Sequence, residues 1–281
     1  MNLLRRRSTP AAPTDPTVLA VPGDAGLEYI HFAAHDLPAG TTLPGNTNDT
    51  ETAFVVLGGR CAITAGGQTY QLGQRTDVWD RTPPYVLLLP PELACSVGAE
   101  TDTKLVVAGA TIGNAPPVSP RLITPGDITA EERGHGQTYR YIHHLLPPSA
   151  GAARLILVEV YTPAGNWSSF PPHKHDTEAP PAESFLEETY YFRVDPPTGF
   201  ALQRVYTPER DVDEALAPGN GDLVLVPRGY HPVAATPGHE CYYLNVMAGP
   251  TRAWNFQVDP HYAHLMNWTP PPVAQASSEG R

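Results

Sequence analysis

The chain has 281 residues, with 18 Lys and Arg against 29 Asp and Glu and a formal net charge of −11. That length holds either one large all-β unit or two ordinary domains, and 41% hydrophobic content lies above the range of disordered chains. The acidic balance, lysine only at Lys104 and Lys174, and the lack of an apolar run near the roughly 20 residues of a membrane helix point away from nucleic acid and membrane as partners.

Residues 1–7 carry arginines but no apolar stretch behind them, so no secretory leader is expected. Residues 1–17 and 268–281, rich in Pro, Ser, Thr and Ala, are expected as loose tails. Proline is costly inside helices and central strands, so 33 prolines and 24 glycines predict short strands separated by turns. Apolar runs at 53–57, 85–89, 104–108, 155–161, 223–226 and 242–247 are the expected strands, spaced as in a β-sandwich or barrel. The stretch 128–132, between Pro125-Gly126 and Gly134, predicts one short helix. Cys61, Cys95 and Cys241, far apart and odd in number, fit a cytoplasmic protein with reduced, mostly buried thiols.

An internal repeat predicts two related barrels. The strand YVLLLPP at 85–91 resembles GDLVLVPR at 221–228: each follows a glycine-bearing turn, closes on proline, and precedes a strand ending in Gly109-Ala110 or Ala248-Gly249. The turn-rich PPVSPRLITPGD at 116–127 marks the boundary, giving domains at 18–125 and 126–267.

The sharpest local signal is His173-Lys174-His175. On a strand, residues two apart face one side, so both imidazoles can share a metal ion. Acidic residues follow at Glu183, Glu187 and Glu188, the last opening a strand on which it shares a face with Tyr190 and Phe192. Gly221, five residues, Pro227, Gly229 and His231 form the second signature of the cupin barrel; Gly165, His173, His175 and Glu188 form the first. The gap from His175 to Glu188 is longer, and that from Gly229 to His231 shorter, than in the common cupin pattern. Both departures fit one particular family.

GNWSSFPPHKHD at 165–176, LEETYY at 186–191, QRVYT at 203–207, VPRGYHPV at 226–233 and YYLNVMAG at 242–249 resemble the bacterial 5-deoxy-glucuronate isomerase family, the bicupin enzymes of myo-inositol catabolism. The resemblance continues more loosely through VVLGGR at 55–60 and PPY at 83–85. It implies an all-β bicupin of two tandem jelly-roll barrels, with one divalent ion per chain on His173, His175, Glu188 and His231. Zinc or manganese is expected first, with iron, nickel or cobalt also suited. Implied too is the interconversion of 5-deoxy-glucuronate and 5-dehydro-2-deoxy-gluconate. Where the family tends to carry a tryptophan after Asp259-Pro260, this chain has His261-Tyr262-Ala263-His264-Leu265.

Aligning Pro90 with Pro227 puts Ala94 at the place of His231, and no His-x-His precedes His143. The first barrel is therefore expected to bind no metal and to serve as scaffold and interface, with His31 and His35 as surface or loop residues. His143 and His144, being adjacent, would face opposite sides of a strand. An aldose–ketose step removes a proton beside a carbonyl, which a cation makes acidic by polarising the oxygen. Candidates for proton transfer are Glu159, Lys174, Glu187 and Tyr243. Glu159 is the chief suspect, because a carboxylate in an apolar run is costly to bury unless an arginine pairs with it or its strand exposes one face. Arg204, then Arg193 and Lys174, are candidates for the substrate carboxylate, and Tyr190 for its hydroxyls. Expected partners are a small sugar acid and, through the barrels, further copies of the chain. The alternatives are an isomerase of 4-deoxy-5-keto-uronate, a cupin dioxygenase, or a non-catalytic sugar-binding cupin.

Overall fold

A computed structural model describes residues 2–116 and 119–266, so the expected tail at 268–281 lies outside the described residues. The first half sets a six-stranded sheet, in spatial order Arg121–Ile123, Val86–Leu89, Thr50–Gly58, Thr103–Thr111, Ile30–Leu37 and Val18–Ala20, against a four-stranded one. The second half sets Leu4–Arg5, Leu223–Val226, Glu187–Asp195, Glu240–Ala248, Ile156–Thr162, Arg140–His144 and Thr129–Arg133 against a sheet built around Val233–Ala235 and Ala201–Tyr206. All of these neighbours run antiparallel. Each half is a jelly roll of two facing sheets rather than one sheet closed on itself.

Burial on both faces explains why the core strands read as unbroken apolar runs. Leu223 and Leu225 join a cluster with Phe32, Val55 and Val106 of the first half, whereas Val224 and Val226 join Tyr190 and Phe192 inside the second. The same alternation places Tyr242, Leu244 and Val246 between the halves and Tyr243 and Met247 in the interior. The two large sheets therefore pack back to back. Each buried Leu or Val there contributes about 1.5–3 kcal/mol.

Strand registers relate the halves. Thr52 pairs with Leu89 and Gly109 as Glu188 pairs with Val226 and Met247. Thr52 thus occupies the first-half place of Glu188, and Glu51 that of Glu187. The carboxylate of Glu51 accepts the backbone N–H groups of Ala153, Arg154 and Leu155 at 2.7, 2.6 and 2.5 Å. That of Glu187 accepts those of Glu28, Tyr29 and Ile30 at 2.6, 2.7 and 2.6 Å. Each half satisfies the donors just ahead of the other's matching strand.

Three expectations are corrected. The segment 1–17 is not a loose tail: Leu4–Arg5 pairs with the edge of Leu223–Val226, Leu3 is buried, and Arg6 reaches Asp222 at 2.6 Å. Backbone pairing to an open sheet edge, rather than composition, holds it. The expected helix at 128–132 is the strand Thr129–Arg133, a hairpin partner of Arg140–His144, because five residues make a marginal helix while the sheet offers a full ladder. His31 and His35 lie on the strand Ile30–Leu37, His35 buried, and line a cavity of about 310 Å3 in the first half.

Candidate metal centre

Four side chains from three places converge. His173 lies on a short strand, His173–Lys174, paired with Gln257–Val258; His175 follows it. Glu188 points into the second half beside Tyr190, on the interior parity of Glu187–Asp195. His231 sits in the turn after Leu223–Val226, which passes so close to Tyr206 that a Cβ on Gly229 would lie 2.6 Å from its carbonyl oxygen. The Nδ1 atoms of His173, His175 and His231 donate to the carbonyls of Pro171, Leu186 and Gly229 at 3.1, 2.8 and 2.7 Å. Those bonds fix the tautomer and leave each Nε2 lone pair free.

Ligand atoms of the three histidines lie within 4.8 Å of one another. Glu188 Oε2 stands 3.2 Å from His175 Nε2 and 3.1 Å from His231 Nε2. All three of these atoms are buried without a hydrogen-bond partner. Burial and the neighbouring imidazoles pull His173 down to about 3. Burial opposes the charge of Glu188, but His175 and His231 outweigh it and hold the carboxyl at about 2. Three imidazole nitrogens and a carboxylate, clustered this closely, are a donor set for a divalent transition ion.

Of the four, His173 and Glu188 open on a cavity of about 500 Å3 whose wall includes Tyr190, Tyr243, Ser169, Asn245 and Arg140. Ser169 links the two tyrosines, its hydroxyl 3.0 Å from that of Tyr190 and 3.3 Å from that of Tyr243. Burial raises Tyr243 to about 12 and Tyr190 well above its usual value, so both keep their protons at neutral pH. Among the described residues, no helix is long and apolar enough to cross a membrane.

The family model described as KduI/IolB family matches residues 3–265. The chain belongs to the KduI/IolB family. It is 47% identical over 250 residues to the 5-deoxy-glucuronate isomerase of Geobacillus thermodenitrificans, covering 89% of this chain and 90% of that one. It is 40% identical to that of Bacillus subtilis strain 168, covering 86% and 90%. The crystal structure of an IolB-like protein from Salmonella typhimurium LT2 superposes with a TM-score of 0.89 at 41% identity, over 94% of this chain and 99% of that one. The oxalate decarboxylase of Lactobacillus farciminis, at 10% identity and a TM-score of 0.64 over 92% and 88%, shares the fold alone. The bicupin architecture and the isomerase class expected from the sequence both stand.

Within this KduI/IolB member the expected auxiliary residues scatter. Tyr190 and Tyr243 line the cavity. Glu159 does not: its parity is that of Leu157 and Tyr161, so it faces the other half, where Arg75 meets it with two bonds of 3.0 Å and His143 Nδ1 lies at 2.6 Å. Glu187 is engaged by the three backbone N–H groups of the first half. Lys174 binds Asp176 at 2.5 Å and Glu183 at 2.9 Å, and Asp176 also accepts the N–H of Gly229 at 2.8 Å. That lysine therefore braces the His173–His175 segment against the turn of His231. Arg193 donates to Asn220 at 2.8 Å and faces Asp77 of the first half. His144 contacts Glu131 at 3.0 Å.

Arg204 is on the outer face. Gln203 and Val205 of its strand are buried, so Leu202 and Arg204 point out, and the guanidinium forks onto Asp213 at 2.8 and 2.9 Å while stacking on Tyr206. An exposed ion pair of this kind contributes about 0–1 kcal/mol. Arg204→Ala should accordingly leave kcat/KM for a sugar acid within about twofold of wild type; a tenfold loss would return Arg204 to the site. Unforeseen members of the wall are Ser169, Asn245 and Arg140. The last was legible as the residue two before Ile142, on the interior parity of its strand.

Proposed function

We propose that this KduI/IolB protein is a metal-dependent isomerase that interconverts 5-deoxy-glucuronate and 5-dehydro-2-deoxy-gluconate. This step would belong to myo-inositol catabolism in the cytoplasm. The observation that carries the reading is the cluster of His173, His175, Glu188 and His231, two of whose members, His173 and Glu188, line a cavity walled by protonated hydroxyls. The substrate comes from the names of the relatives at 40–47% identity. His173, His175, Glu188 and His231 would hold the ion, zinc or manganese first. Bound there, a divalent ion supplies Lewis acidity that makes the proton beside the substrate carbonyl removable without any redox change.

The chain's own residues do the rest. The Tyr190–Ser169–Tyr243 hydroxyls stay protonated and donate to substrate oxygens as negative charge grows on them. Ile142, Val158 and Val160 supply the apolar part of the wall, which keeps water from competing for those bonds. The net change moves one hydrogen between adjacent carbons and one proton between the oxygens they carry, and needs no oxidant. In the first half Thr52 stands where Glu188 would and Ala94 where His231 would, so these two ligands have no counterpart there.

Elemental analysis of the purified protein, followed by turnover of 5-deoxy-glucuronate under argon in D2O, tests the reading. A single metal equivalent per chain and undiminished anaerobic turnover are expected. Two full equivalents would overturn the one-site assignment. Dependence on oxygen would favour a dioxygenase, and binding without turnover a sugar-binding cupin.

A further inference from the structure

We propose that Arg140 is the anchor for the carboxylate of the substrate, so that the cavity selects an open-chain polyhydroxy acid whose carbonyl end would lie at the candidate metal centre and whose acid end is held by this arginine. The inference rests on the isomerase reading above and adds the residue that sets substrate class.

Arg140 opens the strand Arg140–His144, and its side chain follows the interior parity of Ile142 into the same cavity as His173 and Glu188. It is only 8% exposed. Its Nη1 donates to the Thr138 carbonyl at 2.9 Å and its Nη2 to the Phe170 carbonyl at 3.2 Å. Both partners are neutral, and among the described residues no carboxylate lies within 4.0 Å of it. A guanidinium has five N–H donors, so these two bonds orient the fork and leave the others for a ligand.

The other cations near the site are engaged. Arg133, on the same wall, forks onto Glu131 at 2.9 and 2.8 Å. Lys174 is shared between Asp176 and Glu183, and Arg204 is outside on Asp213. A buried cation without a counter-charge is costly, and the structure keeps one facing an open cavity. With the chain at −11, the long-range field repels an acid, so capture depends on a local cation of this kind.

The carbonyl that holds Arg140 belongs to Phe170, next to Ser169 of the hydroxyl chain and to Pro171, whose carbonyl orients His173. One short segment therefore ties the arginine, the hydroxyl donors and the first metal ligand together. A carboxylate two-pronged on the fork would place the rest of the chain against the tyrosine hydroxyls.

Arg140→Ala, Arg140→Gln and Arg140→Lys should be compared with wild type on 5-deoxy-glucuronate and on 5-deoxy-glucose, which has a hydroxymethyl group in place of the carboxylate. Metal content and melting temperature are matched first; glutamine keeps one carbonyl bond if alanine fails to fold. For the acid, Arg140→Ala and Arg140→Gln should lower kcat/KM by about 10- to 100-fold, as loss of a charge-assisted bond does, and change the neutral sugar by less than about threefold. Arg140→Lys should recover part, since an ammonium lacks the planar fork. An equal loss on both substrates, or none on either, overturns the proposal. Calorimetric binding of gluconate against glucitol separates this from the reaction. If wild type turns over neither sugar, the isomerase reading fails, yet a gluconate preference that vanishes in Arg140→Gln still upholds the anchor. Absence of that preference in wild type sinks it.

Discussion

His231→Ala is expected to release the metal and to lower kcat/KM by at least about 10³, with His173→Ala and His175→Ala close behind. A divalent ion stabilising charge on a substrate oxygen contributes several kcal/mol to the barrier, and about 1.4 kcal/mol is a factor of ten. In His231, as in His175, the Nδ1 bond to a backbone carbonyl fixes the tautomer while the Nε2 has no other partner. The fold should survive. The interior of the second half is held by Val158, Val160, Phe192, Val224 and Val226, none of which depends on the imidazole. Far-UV circular dichroism should match wild type, and the melting temperature should fall to that of chelator-treated wild type, since only stabilisation by bound metal is lost. Stoichiometric metal in all three variants would remove the centre from consideration.

Arg75→Met should be the most destabilising single change in the contact between the halves. Arg75 and Glu159 are both fully buried, with Tyr242 donating to Glu159 at 2.9 Å and His143 on its other side. Removing one partner of such a pair costs about 3–5 kcal/mol, because the remaining charge is left without water or counter-ion. For a chain of this size that corresponds to a melting temperature lower by roughly 10 °C. Burial works against the charge of Glu159, but Arg75 and His143 outweigh it and hold the carboxyl below its usual range. A carboxyl depressed in the folded state adds stability that is complete above its unfolded value of about 4.3 and is lost as pH falls through the folded one. In Arg75→Met that depression goes, and Glu159 can take up a proton at higher pH. The gap between variant and wild type in urea midpoint should therefore narrow from pH 7 to pH 4. A gap of constant size would mean that shape, not charge, is what Arg75 supplies.

The strands were legible because Pro and Gly cut the chain between apolar runs, and the convergence of His173, His175, Glu188 and His231 because their spacing on strands and turns is local. What escaped was direction at long range. An apolar run such as ILVEVYT at 156–162 is buried on both faces, so alternation could not say whether Glu159 faced the metal or the other half. Its partner Arg75 lies in a loop far away in sequence, with nothing around it to mark the pairing. Arg204 failed for a simpler reason: the buried Gln203 and Val205 flank it, and that alternation was readable in QRV. Residues 1–17 hid their role because one fully buried leucine, Leu3, and a few backbone bonds to a sheet edge leave almost no compositional trace.

Glu51 and Glu187 are the same position in the two halves, and each reaches the same three backbone donors of the other. A contact in which residue i of one copy meets segment j of the next, and the reverse, is the mark of an isologous dimer. The halves meet as two subunits would, joined in one polypeptide. The joint and the site vary separately between the halves: Thr52 and Ala94 stand at the places of Glu188 and His231, while Glu51 has the same carboxylate as Glu187. Neither copy is a free-standing module. Cutting between them would expose the apolar backs of both large sheets and strand two carboxylates and six N–H groups without partners. Each half therefore serves the other as a subunit serves its partner, with the contact made inside one chain.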